Sequence, residues 1–577
     1  MPEQVRPFTS FPIPKNYGDR DICTTRKDRL ERMRTERSEF LSEWKDISDY
    51  IQIRRGKYLL DEQRKFRRSK KVLNETATFA SRTLGAGMLA GVSSPSRPWL
   101  KLTTPDPAMN EFASVKRWLD IAQRMLYRAF AVSNYYHVKQ TSYRDMGDFG
   151  QGPIIMDEDF ENAINCIVAS PGEYFMDIDY RGMVTVLYRE FKWSTMQCMQ
   201  KFGYDNCSRV IRETYDRGEK NVLFDICHAI EPNIYQERGA LGVRGMPFTS
   251  VYIHLGSSGD DAVMEVKGYH ENPISAPRWD VQNGDVYGDG PGSLVLPATK
   301  SLQALEKRNG QLIDKMTAPT MALPQSMRRE VLNHNAGQPT YFPDNMFGQG
   351  GNARGYQLYQ IDPNAVTVTE QQINRHEMRI NTGYFTDLFL MLEQSDRRQI
   401  TAREIEERHE EKLIALGPVL ERTHYEGLNV EVDRVFGILL RKRVIPPPPP
   451  ELEGVPLKVE YTSLLAVAQK SIGVSSMERF AGFVGNLSAG NPAILDKWDM
   501  DQTVDEYADL IGVPASTVRS DEEADKIRKE RENQQKAAQG MAVAAQGADT
   551  AKVLSETDTA RGGNSNLLAD ILGSAGA

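Results

Sequence analysis

The sequence predicts an α+β fold in which helix predominates. Three observations carry that prediction. Apolar residues recur at three- and four-residue steps through much of residues 25–92 and 293–443. Between Trp99 and Asp280 short β-type runs alternate with turn signals. A run of five prolines, Pro446–Pro450, then punctuates the chain.

The first region reads as helices. In TRKDRLERMRTERSEFLSEWKDISDYI, residues Leu30, Met33, Phe40, Trp44 and Ile47 form a helical stripe. VLNETATFASRTLGAGMLAGV comes next as a second helix with small residues on one face, where Gly87 and Gly91 allow another element to approach closely. SSPSRP (Ser93–Pro98) stops it, because each proline disfavours helix at the residue before it. One more helix is expected near Glu111–Ser133. From there INCIVASPGEYFMDIDYRGMVTVLYREFKW predicts strands separated by turns at Ser170-Pro171-Gly172 and Tyr180-Arg181-Gly182. SVYIHLGSSGDDAVMEVKGY predicts a hairpin with Gly256–Asp261 as its loop. The expectation is an antiparallel β-rich domain with helical excursions.

Helix returns at Ser293–Met316, where Ala298, Leu302, Leu305, Asn309, Leu312 and Met316 make one narrow stripe suited to packing on a neighbouring helix. Ala318–Asn364 is rich in Pro, Gly and Asn and too long for a plain connector, so it predicts a small excursion with its own strands. Thr369 and Gln372 fit a capping box, which starts a helix through Ile373 and Ile380 to about Leu388. The polar patch EQSDRR (Glu393–Arg398) comes next, and Thr401 with Glu404 marks a further helix start. That helix is expected to reach Arg443, bent at Gly417-Pro418, and to span roughly 60 Å. Glu404, Glu406 and Glu407 at its start and Arg441-Lys442-Arg443 at its end complement the helix dipole. The prolines read as a rigid spacer and the clearest boundary in the chain. Short helices are expected over Leu457–Arg531, and a tail too poor in large apolar groups to pack a core closes the sequence.

Length and charge bound the function. At 577 residues the chain exceeds one hydrophobic core, and two to four domains are expected. With 71 basic and 79 acidic residues the net charge is −8, the opposite of the basic surplus a static DNA clamp carries; local basic patches stay open. The five cysteines form no CxxC pair and read as reduced thiols. The N-terminal stretch lacks the apolar core of a signal peptide, and the longest small-apolar run, Leu84–Val92, is too short to span a bilayer. Synthesis and folding in a cytoplasm are expected, with no membrane partner.

Motifs for catalysis are sparse. There is no GxxxxGK[ST], GxSxG or HExxH. GQGGNARG (Gly348–Gly355) lacks a strand–turn–helix frame and reads as a loop rather than a phosphate cradle. Asp177 with Asp179, and Asp157, Glu158 and Asp159, could hold a divalent cation, but solvated turns are the favoured reading of both. His376 and His409 lie on predicted helices without a partner at metal-ligand spacing. The basic run Arg64–Lys71 suits an acidic partner or a solvated segment. Asp396 beside Arg397 and Arg398 reads as a catalytic cluster, a nucleic-acid contact or a plain loop.

The order of these pieces resembles the portal protein, or head-to-tail connector, of short-tailed bacteriophages. Two stretches carry the resemblance: ASRTLGAGMLAGVSSPSRPWLKL (Ala80–Leu102) and SDRRQITAREIEERHEEKLIALGPVLER (Ser395–Arg422). It covers residues from about 20 to 530. The resemblance implies a ring, typically of twelve subunits, at one capsid vertex, with no catalytic, cofactor or metal site. Residues 1–292 would form the N-terminal helices and β-rich wing, 293–317 and 367–388 two antiparallel stem helices, and 318–366 the clip. A channel loop would come after them at 389–400, then a long bent wing helix at 401–445, a proline-rich linker at 446–456, a helical crown at 457–534 and a disordered tail at 535–577. On this mapping Gln394, Ser395, Asp396, Arg397, Arg398 and Gln399 line the DNA channel. Arg328, Arg329, Arg354 and Tyr356 are candidate clip contacts to motor or adaptor. The implied partners are further copies of the chain, double-stranded DNA bound without sequence preference, the terminase large subunit, tail adaptor and nozzle proteins, major capsid and scaffolding proteins, and internal core proteins. The implied role is genome packaging, retention and ejection at the head–tail junction, with nucleation of procapsid assembly.

The acidic composition agrees with a conduit, since a channel attracting phosphate everywhere would hold DNA instead of letting it slide. Two alternatives are a metal-dependent DNA-processing enzyme using Asp177 and Asp179, and a capsid scaffold without a channel.

Overall fold

The computed structural model describes residues 22–53, 71–106, 112–282, 284–317, 364–394 and 415–452, with isolated positions and short stretches elsewhere up to residue 536. The chain divides into two compact units, Met1–Gln469 and Lys470–Ala577.

In the first unit, α1 (Ile22–Tyr50) buries the predicted stripe of Leu30, Met33, Trp44 and Ile47, with Phe40 packed at its edge. Its first turns close over the inner face of a sheet, where Ile22, Cys23, Leu30 and Met33 meet Phe175, Val186, Tyr188 and Val251. α2 (Thr76–Val92) stops at Ser93, at the start of the proline-bearing stretch. β1 (Leu100–Thr103) and α3 (Ala113–Val132) come next, the latter close to expectation.

α4 (Tyr135–Phe149) is one of the helical excursions the sequence reading allowed in this part of the chain without placing one here. Tyr135, Val138, Met146 and Phe149 give it an apolar stripe, but Lys139, Ser142, Asp145 and Asp148 are buried beside them and break up the pattern. Their partners lie far away in sequence, and tertiary pairing overrides the hydrophobic period.

The β-rich part is antiparallel, as expected. β2 (Ile154–Asp159) pairs with β3 (Ala163–Val168) across a turn at 160–162 that the sequence reading did not mark, and β4 (Tyr174–Ile178) pairs with β5 (Val184–Ser194) across the predicted turn at Tyr180-Arg181-Gly182. α5 (Thr195–Phe202) and α6 (Arg209–Asp216) then precede β6 (Leu223–Pro232), β7 (Phe248–His254) and β8 (Val263–Tyr269). The larger sheet runs β4-β5-β6-β7-β8. α5 and α6 supply Cys198, Phe202 and Ile211 to the cluster on its second face with Phe191, Phe224 and Tyr252. β9 (Ile274–Ser275) completes a smaller sheet of order β3-β2-β9. All five cysteines are free and buried.

α7 (Pro291–Thr317) leads into the excursion, which does carry strands: β10 (Met321–Pro324), β11 (Thr340–Phe342) and β12 (Tyr356–Gln357), in the order β11-β10-β12. α8 (Asn364–Gly383) starts before the predicted cap. Thr369 lies inside it and donates its hydroxyl to Ala365 O at 2.8 Å, so it bonds the preceding turn and caps nothing. The helix also does not run through to Leu388. It breaks at Tyr384–Phe385, where Phe385 takes φ +54°, and resumes as α9 (Thr386–Gln394). The first residues of the expected channel loop, 389–394, are therefore helical.

Helix is described again from 415, straight through Gly417-Pro418. A π-helical turn, Thr423–Leu428, interrupts it before α10 (Asn429–Arg441). The prolines do not separate compact units. Trp118 Nε1 donates to Pro446 O at 2.9 Å, Ile445 and Leu452 are buried, and β13 (Lys458–Tyr461) beyond them pairs antiparallel with β1. A proline run reads as a spacer because it cannot join a ladder, yet its carbonyls still accept hydrogen bonds, as Pro446 does here, although the rings themselves are largely exposed. In the second unit, α11 (Val474–Ser488) sets Phe480 edge-on to Trp498 at 5.9 Å.

Candidate functional site

The segment singled out by the sequence, residues 395–400, lies outside the described residues, as do 401–414; the chain before 395 and the helix from 415 onward are described, and each contains a residue bonded to α4. On the first flank, Tyr384 at the α8–α9 break is wholly buried and donates its hydroxyl to Asp148 Oδ1 at 2.7 Å. Asp148 Oδ2 accepts from Ser81 Oγ of α2 at 2.6 Å and has Arg144 Nε at 3.8 Å. Burial pushes this carboxyl up to about 6, against the Arg144 charge and the two hydroxyl donors. One turn earlier, Asp145 is also raised by burial, and Arg55 opposes the shift through a pair at 2.6 Å.

α9 is seated by shape. A Cβ on Gly87 would collide with the Phe389 ring, so only glycine lets α2 and α9 approach this closely, and Gly91 accommodates Leu465 in the same way. Thr386 Oγ1 donates to Asn381 O at 2.9 Å across the break. The close approach expected at Gly87 and Gly91 is thus present, with α9 as one of the elements that use it.

The second flank is the helix from 415 onward. Thr423 and Glu426 lie in its π turn and are buried. Glu426 receives Arg278 Nη2 at 2.7 Å and Nε at 3.0 Å, and the same guanidinium donates to Gly182 O at 2.6 Å and Asp285 O at 3.1 Å. The extra residue of a π turn rotates the helix beyond it by a fraction of a turn. There Glu431 meets Lys139 Nζ of α4 at 2.6 Å, with neither side chain exposed. Tyr135 and Ser275 each donate to Glu431 at 2.5 Å. A buried pair this well supplied with hydrogen bonds specifies one arrangement, and losing one partner strands the other charge. His424 stacks on Tyr461 at 4.2 Å, and burial pulls its imidazole down to about 4, so it stays neutral. The arrangement bonds the chain before residue 395 and the chain after residue 414 to a common helix, α4.

The remaining sequence candidates fall as follows. Gln394 is the last residue of α9. Ser395, Asp396, Arg397, Arg398, Gln399, Thr401, Glu404 and His409 lie outside the described residues, as do Arg328, Arg329, Arg354 and most of the basic run. Tyr356 opens β12 opposite Ala322 of β10. Asp177 pairs with Arg29 at 2.7 Å, whereas Asp179 accepts from the backbone of Arg181 and Met183 in its turn. Asp157 accepts from Tyr269 at 2.5 Å, Glu158 pairs with Arg441 at 2.9 Å, and Asp159 accepts from Asn162 N. Among the described residues no group of three or more His, Cys, Asp or Glu is placed to hold a metal ion. No helix among them is long and apolar enough to cross a membrane. Lys71, the described end of the basic run, meets Asp49 at 2.6 Å.

Sequence reasoning missed Asp148, Tyr384, Lys139, Glu431, Arg278 and Glu426. Two acids at Asp145 and Asp148, one helical turn apart, were a visible signal, but their partners are not adjacent in the chain.

Comparison with known proteins shows the family. The pattern of the family described as "Bacteriophage head to tail connecting protein" matches residues 24–518. The "Portal protein" of Salmonella phage epsilon15 is 38% identical over 544 residues, 93% of this chain and 97% of its own length. The "Probable portal protein" of Bordetella phage BPP-1 is 37% identical over 552 residues, 95% of this chain and 98% of its own. A chain from the neck of an empty gene transfer agent particle aligns over 76% of this chain and 90% of its own at 11% identity, but its TM-score of 0.34 is too low to carry an argument. The chain belongs to the bacteriophage head to tail connecting protein family.

Proposed function

We propose that the chain is a phage portal protein, a structural rather than catalytic component at the junction of head and tail, through which the genome is packaged, retained and ejected. The observation that carries this reading is the 38% identity to a portal protein along 93% of the chain. Its finer parts are also proposals: α7 and α8 as the stem of a ring of twelve, the β10–β12 excursion as the clip that meets the terminase large subunit and then tail adaptor and nozzle proteins, and residues 394–399 as the channel lining. Major capsid, scaffolding and internal core proteins would contact the outer and head-side surfaces, and the ring would nucleate the procapsid. Synthesis in the host cytoplasm belongs to the same reading.

Two features support the finer reading. α7 leaves Leu294, Ile313 and Met316 exposed, and its buried residues end at Gln303, as expected of a helix that gains a neighbour on assembly. Tyr384, before residue 395, and Glu431, after residue 414, are both bonded to α4, which suits a body that stays in place while DNA moves past it. Electron microscopy of the purified chain tests the proposal. Rings with an axial hole wide enough for duplex DNA are expected, and a persistent monomer or a closed particle without a hole would overturn it.

A further inference from the structure

α3 carries an unusual outer face. Arg117, Arg124 and Arg128 are spaced seven and four apart, so they share a stripe within about 40° of arc and about 16 Å long. All three are exposed, and none has an ion-pair partner among the described residues. The opposite face, with Val115, Trp118, Leu119, Ala122 and Leu126, is buried in the main core, which holds the stripe outward. Three guanidiniums on one stripe, with Asp120 the one acid of the helix beside them and no ion pair formed among the described residues, stand out in a chain of net charge −8.

A complementary face exists on the same chain. Glu39 and Glu43 lie one turn apart on α1, and Asp280 and Asp289 are joined by reciprocal backbone hydrogen bonds of 3.1 and 2.8 Å, with Asp285 on the loop between them. The one cation given to these five acids among the described residues is Arg422, 3.5 Å from Asp280. The Asp289 carboxyl is pushed up by partial burial and then by Glu43, Asp280 and Asp285, as expected where like charges crowd without neutralisation. α3 packs on β1 and α10, whereas α1 packs on β4 and α7. A contact between two different patches of one chain is heterologous and repeats head to tail, which is the kind that closes a ring.

We propose that Arg117, Arg124 and Arg128 of one copy dock on the acidic face of Glu39, Glu43, Asp280, Asp285 and Asp289 of the next copy. The inference rests on the ring reading above and names two surfaces that close the ring. Duplex DNA is the other polyanion such a stripe could meet, but the chain itself supplies the matching acids.

The test uses the full chain in three forms: R117E/R124E/R128E, D280K/D285K/D289K, and one chain carrying both sets. All substituted positions are exposed, and unchanged circular dichroism and melting would establish that each variant folds. Native mass spectrometry should show the ring-forming concentration rising at least roughly tenfold for either single set, since several exposed pairs are reversed together. It should recover in the combined variant and in an equimolar mixture of the two single sets. A milder R117Q/R124Q/R128Q variant should weaken assembly less and make it less sensitive to salt. Wild-type assembly in both single sets, or loss without rescue in the combination, would overturn the proposal and leave the ring reading standing. Normal rings that fail to retain DNA in the arginine variant would reassign the stripe to phosphate and overturn it equally. Absence of rings from the wild-type chain would bring down the ring reading and this inference together.

Discussion

Tyr384 and Asp148 meet at 2.7 Å inside the first unit although 236 residues separate them. Their hydrogen bond joins the break between α8 and α9 to the last turn of α4.

Tyr384→Phe removes that donor and leaves a buried carboxyl one partner short. A loss of about 1–3 kcal/mol in unfolding free energy is expected. Urea denaturation monitored by circular dichroism measures it; an unchanged midpoint would show that water or Arg144 replaces the phenol without cost.

The Asp148 carboxyl is raised from 3.8 to about 6, so the folded state binds this proton more tightly than the unfolded chain does. Its contribution to stability is therefore present below about 4 and is lost as pH rises through about 6, with a size on the order of 2–3 kcal/mol. In Asp148→Asn the stability difference between pH 4 and pH 7 should shrink by that amount relative to wild type. Parallel pH profiles for the two proteins would refute the assignment.

Gly87→Ala sets a methyl group against the Phe389 ring, and overpacking of this kind costs about 1–3 kcal/mol. Adding Phe389→Ala should make the double variant more stable than the sum of the single losses predicts. Strict additivity in a double-mutant cycle would mean that the two residues are not in contact in solution.

Lys139→Ala strands Glu431 without its cation and should cost about 3–5 kcal/mol. K139M/E431L, which removes both charges while keeping bulk, should regain most of that loss even though Tyr135 and Ser275 lose an acceptor. Equal losses in the single and double variants would place the energy in packing rather than charge.

Arg397→Ala with Arg398→Ala is expected to leave ring assembly intact and to alter DNA packaging or retention, because the channel reading has these side chains meet phosphate without sequence preference. Failure of ring formation, seen by electron microscopy, would make them structural instead.

Much of the fold was legible in the sequence where one face of an element is apolar. The α1 stripe, the strands between Ala163 and Ser194, the β7–β8 hairpin and α7 all repeat at the period of their own secondary structure, and burial of that face is enough to place them. Small residues at Gly87 and Gly91 announced a close approach without naming Phe389 or Leu465 as the visitors.

The sequence by itself determined the α+β class and the family. Only the tertiary structure decided α4, the break at Phe385, the place of the prolines inside the first unit, and the π turn that sets Glu426 against Arg278. The reason is common to all four. Local periodicity reports where apolar groups go, whereas a buried charge or a left-handed residue is tolerated only when a partner from elsewhere in the chain arrives to satisfy it. Glu431 and Lys139, or Tyr384 and Asp148, become readable as pairs once the fold has brought them together.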